Sequence, residues 1–197
     1  MEMTAWSEYA AAKSRLIGGL RGTVLELGAG RGANFAHLSP NVSWIGLEPH
    51  DRTRAALLRT AHDLRRRQVL AAPAERIPLP EASVDGVLST VVLCSVSDLG
   101  AALAEVRRVL RPGGRFVFFE HVAAPPGTWT YRLQRLAAPF SRTFDKGCDP
   151  TRDIGTAIRS AGFATVDLDR YIRPGPLQVP FIAGVAHNAA DQRRAAR

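Results

Sequence analysis

Short apolar runs of strand length alternate with helix-like segments along most of the chain, and this alternation constrains the fold more than any other feature. Helix-like segments lie at 31–38, 51–66, 98–110 and 151–161. Strands that alternate with helices form βαβ crossovers and a parallel sheet with both faces covered. The seven predicted strands are 23–28, 42–48, 68–72, 85–93, 114–120, 164–171 and 181–187.

The end of the pattern differs, since no helix separates the last two predicted strands. We therefore expect them to form an antiparallel pair at one edge of the sheet. A chain of 197 residues is short enough for a single core, and no linker divides it, so we predict one α/β domain over 1–197. Residues 121–150 exceed the usual length of a connection and are predicted to form a lid insertion. Residues 188–197 are predicted to be a frayed tail.

The charge balance bears on possible partners. The formal net charge is +8, but the basic residues are spread along the chain apart from a cluster at 65–67 and one in the tail. Solvated helix faces explain such a distribution, so we expect no nucleic-acid partner. No segment reaches the ~20 apolar residues of a membrane span, and the first residues lack the apolar region of a signal peptide. We predict a cytoplasmic protein, either a monomer or a homodimer, without a membrane span.

The two cysteines, Cys94 and Cys148, show neither a CxxC pattern nor any metal-ligand spacing. Sequence spacing therefore predicts neither a disulfide framework nor a metal site.

A glycine-rich loop, "ELGAGRGANF", follows the first predicted strand. Gly28, Gly30 and Gly32 allow a sharp turn and a close approach to a ligand, and a helix that follows would offer free backbone N–H groups. A nucleotide-like ligand suits this loop. The loop alone leaves two cofactors open, because Gly28, Gly30 and Ala33 also fit the dinucleotide fingerprint, with Glu48 placed 20 residues on as a ribose-binding acid.

An acid inside the first strand favours one of these cofactors. Glu26 lies two residues before the first glycine, and an unpaired carboxylate there would be costly. We predict that Glu26 accepts hydrogen bonds from a ligand ammonium or from nearby backbone; the alternative is that it caps the adjacent loop. S-adenosylmethionine carries an ammonium and NAD does not. A nicotinamide dehydrogenase also needs a second nucleotide half or a substrate domain, for which 197 residues leave little room.

Five motifs together resemble the class I S-adenosylmethionine-dependent methyltransferases of the type 11-like group. They are "VLELGAGRG", "IGLEPH", "AERIPLPEASVDGVLS", "VRRVLRPGGRFVF" and "RSAGFATV". The resemblance implies a Rossmann-like, doubly wound sheet of seven strands in the order 3-2-1-4-5-7-6, with one strand antiparallel. It also implies a helical cap at 1–20 that folds over the cofactor.

The same resemblance assigns residues to S-adenosylmethionine and its product S-adenosylhomocysteine. The glycine loop would line the methionine and ribose side, Glu48 would receive the ribose hydroxyls, and the segment 90–93 would pass under the methionine. The implied cofactor-binding residues are Glu26, Gly28, Gly30, Gly32, Glu48, Pro49, Ala74, Glu75, Thr90, Val91 and Leu93.

A narrower resemblance concerns the acceptor. The elements "LCSV", "EHVA" and "GC" are similar to those of small-molecule thiol S-methyltransferases of the methyltransferase-like group. Those enzymes carry an N-terminal membrane anchor that is not visible in this sequence, so we expect no membrane association. The resemblance implies methylation of a small, fairly apolar acceptor, with a thiol favoured. Oxygen or nitrogen methylation is the alternative, and a noncatalytic cofactor-binding module is a further one.

The fifth predicted strand ends in Glu120 and His121, at the edge where α/β sheets bind ligands. A thiol acceptor reacts as the thiolate, which an imidazole helps to form. We predict that His121 is a base or a substrate orienter and that Glu120 orients it or bonds the lid backbone; Asp145 is an alternative base. The structural alternative is that His121 only fastens the lid. The predicted substrate-binding residues are Tyr9, His121, Trp129, Phe140 and Phe144.

Overall fold

Eight strands and five helices form the protein in a computed structural model, which describes residues 3–61, 68–144, 147–175 and 177–190. The strands are β1 (Met3–Thr4), β2 (Thr23–Leu27), β3 (Ser43–Leu47), β4 (Gln68–Leu70), β5 (Val84–Thr90), β6 (Leu110–His121), β7 (Thr165–Arg173) and β8 (Val179–His187). The helices are α1 (Tyr9–Gly18), α2 (Asp51–Thr60), α3 (Leu99–Val109), α4 (Trp129–Phe144) and α5 (Ile154–Ser160).

The strands share one mixed sheet in the order β1-β7-β8-β6-β5-β2-β3-β4. Strands β2 to β6 pair in parallel, whereas β8 runs antiparallel to both β6 and β7. Apart from the two-residue β1, this is the predicted order 3-2-1-4-5-7-6 with its one antiparallel strand. The predicted α/β fold class is thus confirmed.

Local structure differs from prediction in three places. The chain predicted as a helix at 31–38 forms only a 3-10 turn at Phe35–His37, because the glycine loop keeps turning through Gly32 with a φ of +84°. The predicted fourth strand stops at Thr90, since Val91 adopts a positive φ. Within the predicted helical cap, Met3–Thr4 instead pairs with β7 as an edge strand, which covers backbone groups that would otherwise be exposed.

Two predicted features extend beyond the described residues. The predicted helix at 51–66 includes 62–66, and the predicted tail at 188–197 includes 191–197. Both segments lie outside the described part of the chain.

The core occupies both faces of the sheet, and strand β6 shows why. Successive side chains on a strand point to opposite faces. Phe116 and Phe118 join the apolar cluster on one face, whereas Val117 and Phe119 join the cluster on the other. A continuous apolar run is therefore the pattern expected of a central strand buried on both sides.

The N-terminal aromatic residues belong to this core. The Tyr9 ring stacks on Trp6 at 4.5 Å and makes edge-to-face contacts with Phe119, Tyr171 and Phe181 at 5.3 to 5.8 Å. Burial raises the pKa of the Tyr9 phenol. These contacts give Tyr9 a packing position on the sheet; its predicted role in binding an acceptor stays a prediction.

Candidate active site

A cavity of about 430 Å³ opens at the carboxyl ends of β2, β3 and β5. Seven of the predicted cofactor-binding residues line it, whereas Glu26, Gly32, Thr90 and Leu93 do not belong to its lining. The lining residues are Gly28, Gly30, Leu47, Glu48, Pro49, His50, Ala72, Pro73, Ala74, Glu75, Val91, Val92, Ser95, Val96, Ser97 and Gly147.

The three loop glycines are needed for different reasons. All three have positive φ angles, a conformation that side chains with a Cβ rarely adopt. A Cβ on Gly28 would lie 2.7 Å from a methyl carbon of Val92, and one on Gly32 would overlap the Phe35 ring. A Cβ on Gly30 would meet no atom closer than 3.8 Å. The space beside Gly30 is thus open for a ligand to approach the backbone.

Glu48 follows β3 and is the main polar group of the cavity. Its side chain is buried, and its two carboxylate oxygens accept the N–H of Gly30 at 3.1 Å and of His50 at 3.0 Å. Each carboxylate oxygen can accept a further hydrogen bond. A pair of adjacent acceptors fits the two hydroxyls of a ribose, and the apolar walls at Leu47 and Ala74 fit a flat base. The residues present are therefore suited to an adenosine-containing cofactor.

Glu26 lies behind the cavity rather than in it. One of its oxygens accepts the Asn34 side-chain amide at 2.7 Å, and the other accepts the Trp44 indole N–H at 2.8 Å. Burial raises the pKa of Glu26, while these two donors oppose the rise. The carboxylate thus fastens the glycine loop to β3; its predicted contact with a ligand ammonium stays a prediction.

Glu120 holds the loop that follows β5. Its fully buried carboxylate accepts the Ser89 hydroxyl at 2.6 Å, the Val92 N–H at 3.0 Å and the Leu93 N–H at 3.2 Å. Burial raises the pKa of Glu120 to about 7. The predicted partners were His121 or the lid backbone, and this expectation needs correction. Adjacent side chains of a strand diverge, so Glu120 turns toward β5 and not toward His121.

This loop contains a strained residue. Val91 has a φ of +54°, a region that β-branched residues occupy rarely and at a cost. Its N–H donates to the Phe119 carbonyl at 2.8 Å, and Glu120 holds the next two N–H groups. The result is that Val91 and Val92 form a wall of the cavity.

His121 lies beside the two cysteines. Its Nε2 is 3.3 Å from the Sγ of Cys148, and the ligand atoms of Cys94, His121 and Cys148 all lie within 4.8 Å of one another. Burial and the nearby Glu120 carboxylate raise the pKa of the Cys94 thiol. Sequence spacing did not reveal this group, although each of "LCSV", "EHVA" and "GC" contributes one of its members.

The lid predicted at 121–150 contains α4, and two of the aromatic side chains of this helix are exposed. Trp129 and Phe140 are each 69% exposed. The buried residues of α4 include Ala138 and Gln134. The Gln134 amide accepts the Ala124 N–H at 2.7 Å and donates to the Val122 carbonyl at 3.1 Å. Neither Trp129 nor Phe140 belongs to the cavity lining, and their predicted role in binding an acceptor stays a prediction. The Phe144 side chain and Asp145 lie outside the described part of the chain.

Comparison with known proteins gives matches in family, sequence and fold. Residues 25–118 match the family described as "Methyltransferase domain". The chain is 37% identical over 159 residues to thiol S-methyltransferase TMT1B of Homo sapiens, covering 79% of this chain and 64% of that protein. It is 34% identical over 163 residues to thiol S-methyltransferase TMT1B of Mus musculus, covering 78% and 67%. The chain thus spans just under two thirds of the human relative.

The fold is shared with solved structures. The YcgJ protein of Bacillus subtilis superposes with a TM-score of 0.72 at 16% identity, over 92% of this chain and all of that one. In the part of the chain that the structure describes, no helix has both the length and the apolar character needed to cross a bilayer. The cytoplasmic location and the oligomeric state stay predictions.

Replacing Gly30 and Gly32 by alanine separates ligand contact from packing. Gly30→Ala should lower the affinity for S-adenosylhomocysteine at least tenfold while costing about 1 kcal/mol of stability, because its Cβ enters the open cavity. Gly32→Ala should cost about 2 kcal/mol or more, because its Cβ strikes Phe35. Calorimetric titration and thermal unfolding measure the two effects. Full affinity in Gly30→Ala would show that the ligand does not approach this loop.

Replacing Glu120 by glutamine tests the support of the loop after β5. The new amide keeps only one acceptor oxygen for the three donors that the carboxylate serves, so Glu120→Gln should lower the unfolding free energy by about 2 kcal/mol. Ser89→Ala removes only one donor and should cost about 1 kcal/mol. Chemical denaturation gives both values. Equal stabilities of Glu120→Gln and the native protein would contradict the supporting role.

Proposed function

Since this chain belongs to the class I S-adenosylmethionine-dependent methyltransferases, we propose that it methylates the sulfur of a small, fairly apolar thiol. The observation that carries the proposal is the likeness to thiol S-methyltransferase TMT1B of Mus musculus, which reaches 34% identity over 67% of that protein. The three elements "LCSV", "EHVA" and "GC", which support the acceptor class, also come together in space.

Different residues of the cavity would contact different parts of S-adenosylmethionine. Glu48 would accept the ribose hydroxyls, and Gly30 would allow the ligand close to the backbone. Ala74 and Glu75 would lie beside the adenine, where Glu75 already accepts the Ser97 N–H. When bound, this cofactor supplies an electrophilic methyl group on a sulfonium sulfur.

The remaining residues would align and shield the acceptor. Methyl transfer is an in-line displacement, so alignment and the exclusion of water matter more than a strong base. Val91 and Val92 give the cavity an apolar wall on this side. Glu120 touches neither ligand in this account and acts as a positioning residue, because it fixes that wall.

The acceptor is proposed to bind next to His121. Ser95 and Gly147 line the cavity and directly follow Cys94 and precede Cys148 in the chain. The group of Cys94, His121 and Cys148 therefore lies against the cavity wall. A thiol reacts as the thiolate, so a group that orients and ionises the acceptor at this place is what the reaction needs.

A panel of matched acceptors tests the function. The purified chain, supplied with S-adenosylmethionine, should convert an aromatic or alkyl thiol into its methyl thioether, with phenols and amines of the same shape turned over at least tenfold more slowly. Mass spectrometry of the products measures the preference. Faster methylation of a hydroxyl or an amine would overturn the thiol assignment. Binding of S-adenosylhomocysteine with no methylated product across the panel would favour a noncatalytic module.

A further inference from the structure

We infer that Cys94, His121 and Cys148 form a binding site for a zinc ion beside the cofactor cavity. Their three ligand atoms lie within 4.8 Å of one another, and the Cys148 sulfur is 3.3 Å from the His121 Nε2. A tetrahedral zinc ion with sulfur at about 2.3 Å and nitrogen at about 2.0 Å needs ligand atoms roughly 3.5 to 3.8 Å apart. Small side-chain rotations are enough to reach this geometry.

The three ligands come from three segments that the fold ties together. Cys94 lies in the loop after β5, His121 ends β6, and Cys148 follows α4. The Asp149 N–H donates to the Cys94 carbonyl at 2.9 Å. The Arg152 guanidinium donates to carbonyls on both sides of Cys94, those of Leu93 at 3.1 Å and Val96 at 2.6 Å. The two cysteine segments are thus joined by hydrogen bonds that do not use the sulfur atoms.

The donor set selects the class of metal. Two sulfurs and one imidazole nitrogen favour zinc over magnesium or calcium, which prefer oxygen ligands. Two carboxylates adjoin the cluster in the chain, and both are engaged elsewhere. Asp149 bonds Thr151 and Arg142, and Glu120 bonds Ser89 and the loop after β5. Within the described ranges the cluster has three such members. Three protein ligands leave one position of a tetrahedral zinc open, the arrangement found in catalytic rather than structural sites.

The open coordination position of the zinc ion could bind the acceptor thiol, a role that rests on the proposed function. An acceptor thiol that takes this position releases its proton to water and binds as a thiolate. Its sulfur then forms a bond to the methyl carbon as the bond between that carbon and the sulfonium sulfur breaks. The negative thiolate and the positive sulfonium become two neutral thioethers. Because a neutral thioether is a weaker zinc ligand than a thiolate, product release is favoured.

Metal analysis of the 197-residue chain and matched variants tests the site. The native chain, purified without chelators and dialysed, should hold about one zinc per chain, and Cys148→Ala and His121→Ala should hold about tenfold less. His187→Ala, a histidine at the end of β8, is the control and should retain its zinc. With Co²⁺ in place of zinc, the native protein should show thiolate-to-cobalt absorption that both ligand variants lose.

Binding of S-adenosylhomocysteine, measured on the same samples, shows that each variant is folded. A native protein that binds this ligand yet takes up neither zinc nor cobalt would overturn the site. A Cys94–Cys148 disulfide in the purified native protein, or full zinc content in both ligand variants, would also overturn it. A protein that holds zinc but methylates no thiol would leave the metal site standing and refute the proposed function instead.

Discussion

A buried carboxylate at the end of β6 holds the site together. Glu120 joins this strand to Ser89 on β5 and to two N–H groups of the following loop. That one group fixes a wall of the cavity, keeps Val91 in a strained conformation and places Cys94 beside His121. Removing three donors from water around one charge is costly unless all are paired, so the loop has little freedom to adopt another arrangement.

Two further buried carboxylates lie along the carboxyl edge of the sheet. Glu26 on β2 and Glu48 after β3 are also buried, and each accepts two N–H donors from the neighbouring loop or strand. The donors to Glu48 are backbone N–H groups of turns, which have no partner strand, whereas the donors to Glu26 are the side chains of Asn34 and Trp44. Three acids therefore organise the turns, but only Glu48 also faces the cavity. This division separates the residue suited to ligand binding from the two that support it.

The features that could be predicted from the sequence are those that depend on local residue patterns. The alternation of strands and helices, with the family resemblance, led to the strand order, and the glycine loop and Glu48 led to the cavity. Side-chain contacts between strands could not be predicted from local pattern. Nothing in the sequence around Glu26 indicates that its partner is the Trp44 indole of the neighbouring strand. Cys94 and Cys148 each lie 27 residues from His121, and only the fold brings them together. Helical spacing likewise gave no indication that Trp129 and Phe140 are exposed.

The cavity between Gly30, Glu48 and the loop held by Glu120 is suited to an adenosine-containing methyl donor. Calorimetric titration of the folded native chain with S-adenosylhomocysteine, and separately with NAD, distinguishes this ligand from a dinucleotide. We expect saturable binding of S-adenosylhomocysteine at one site per chain and an affinity for NAD at least tenfold lower. A folded chain that binds NAD more tightly, or that does not bind S-adenosylhomocysteine, would contradict this expectation.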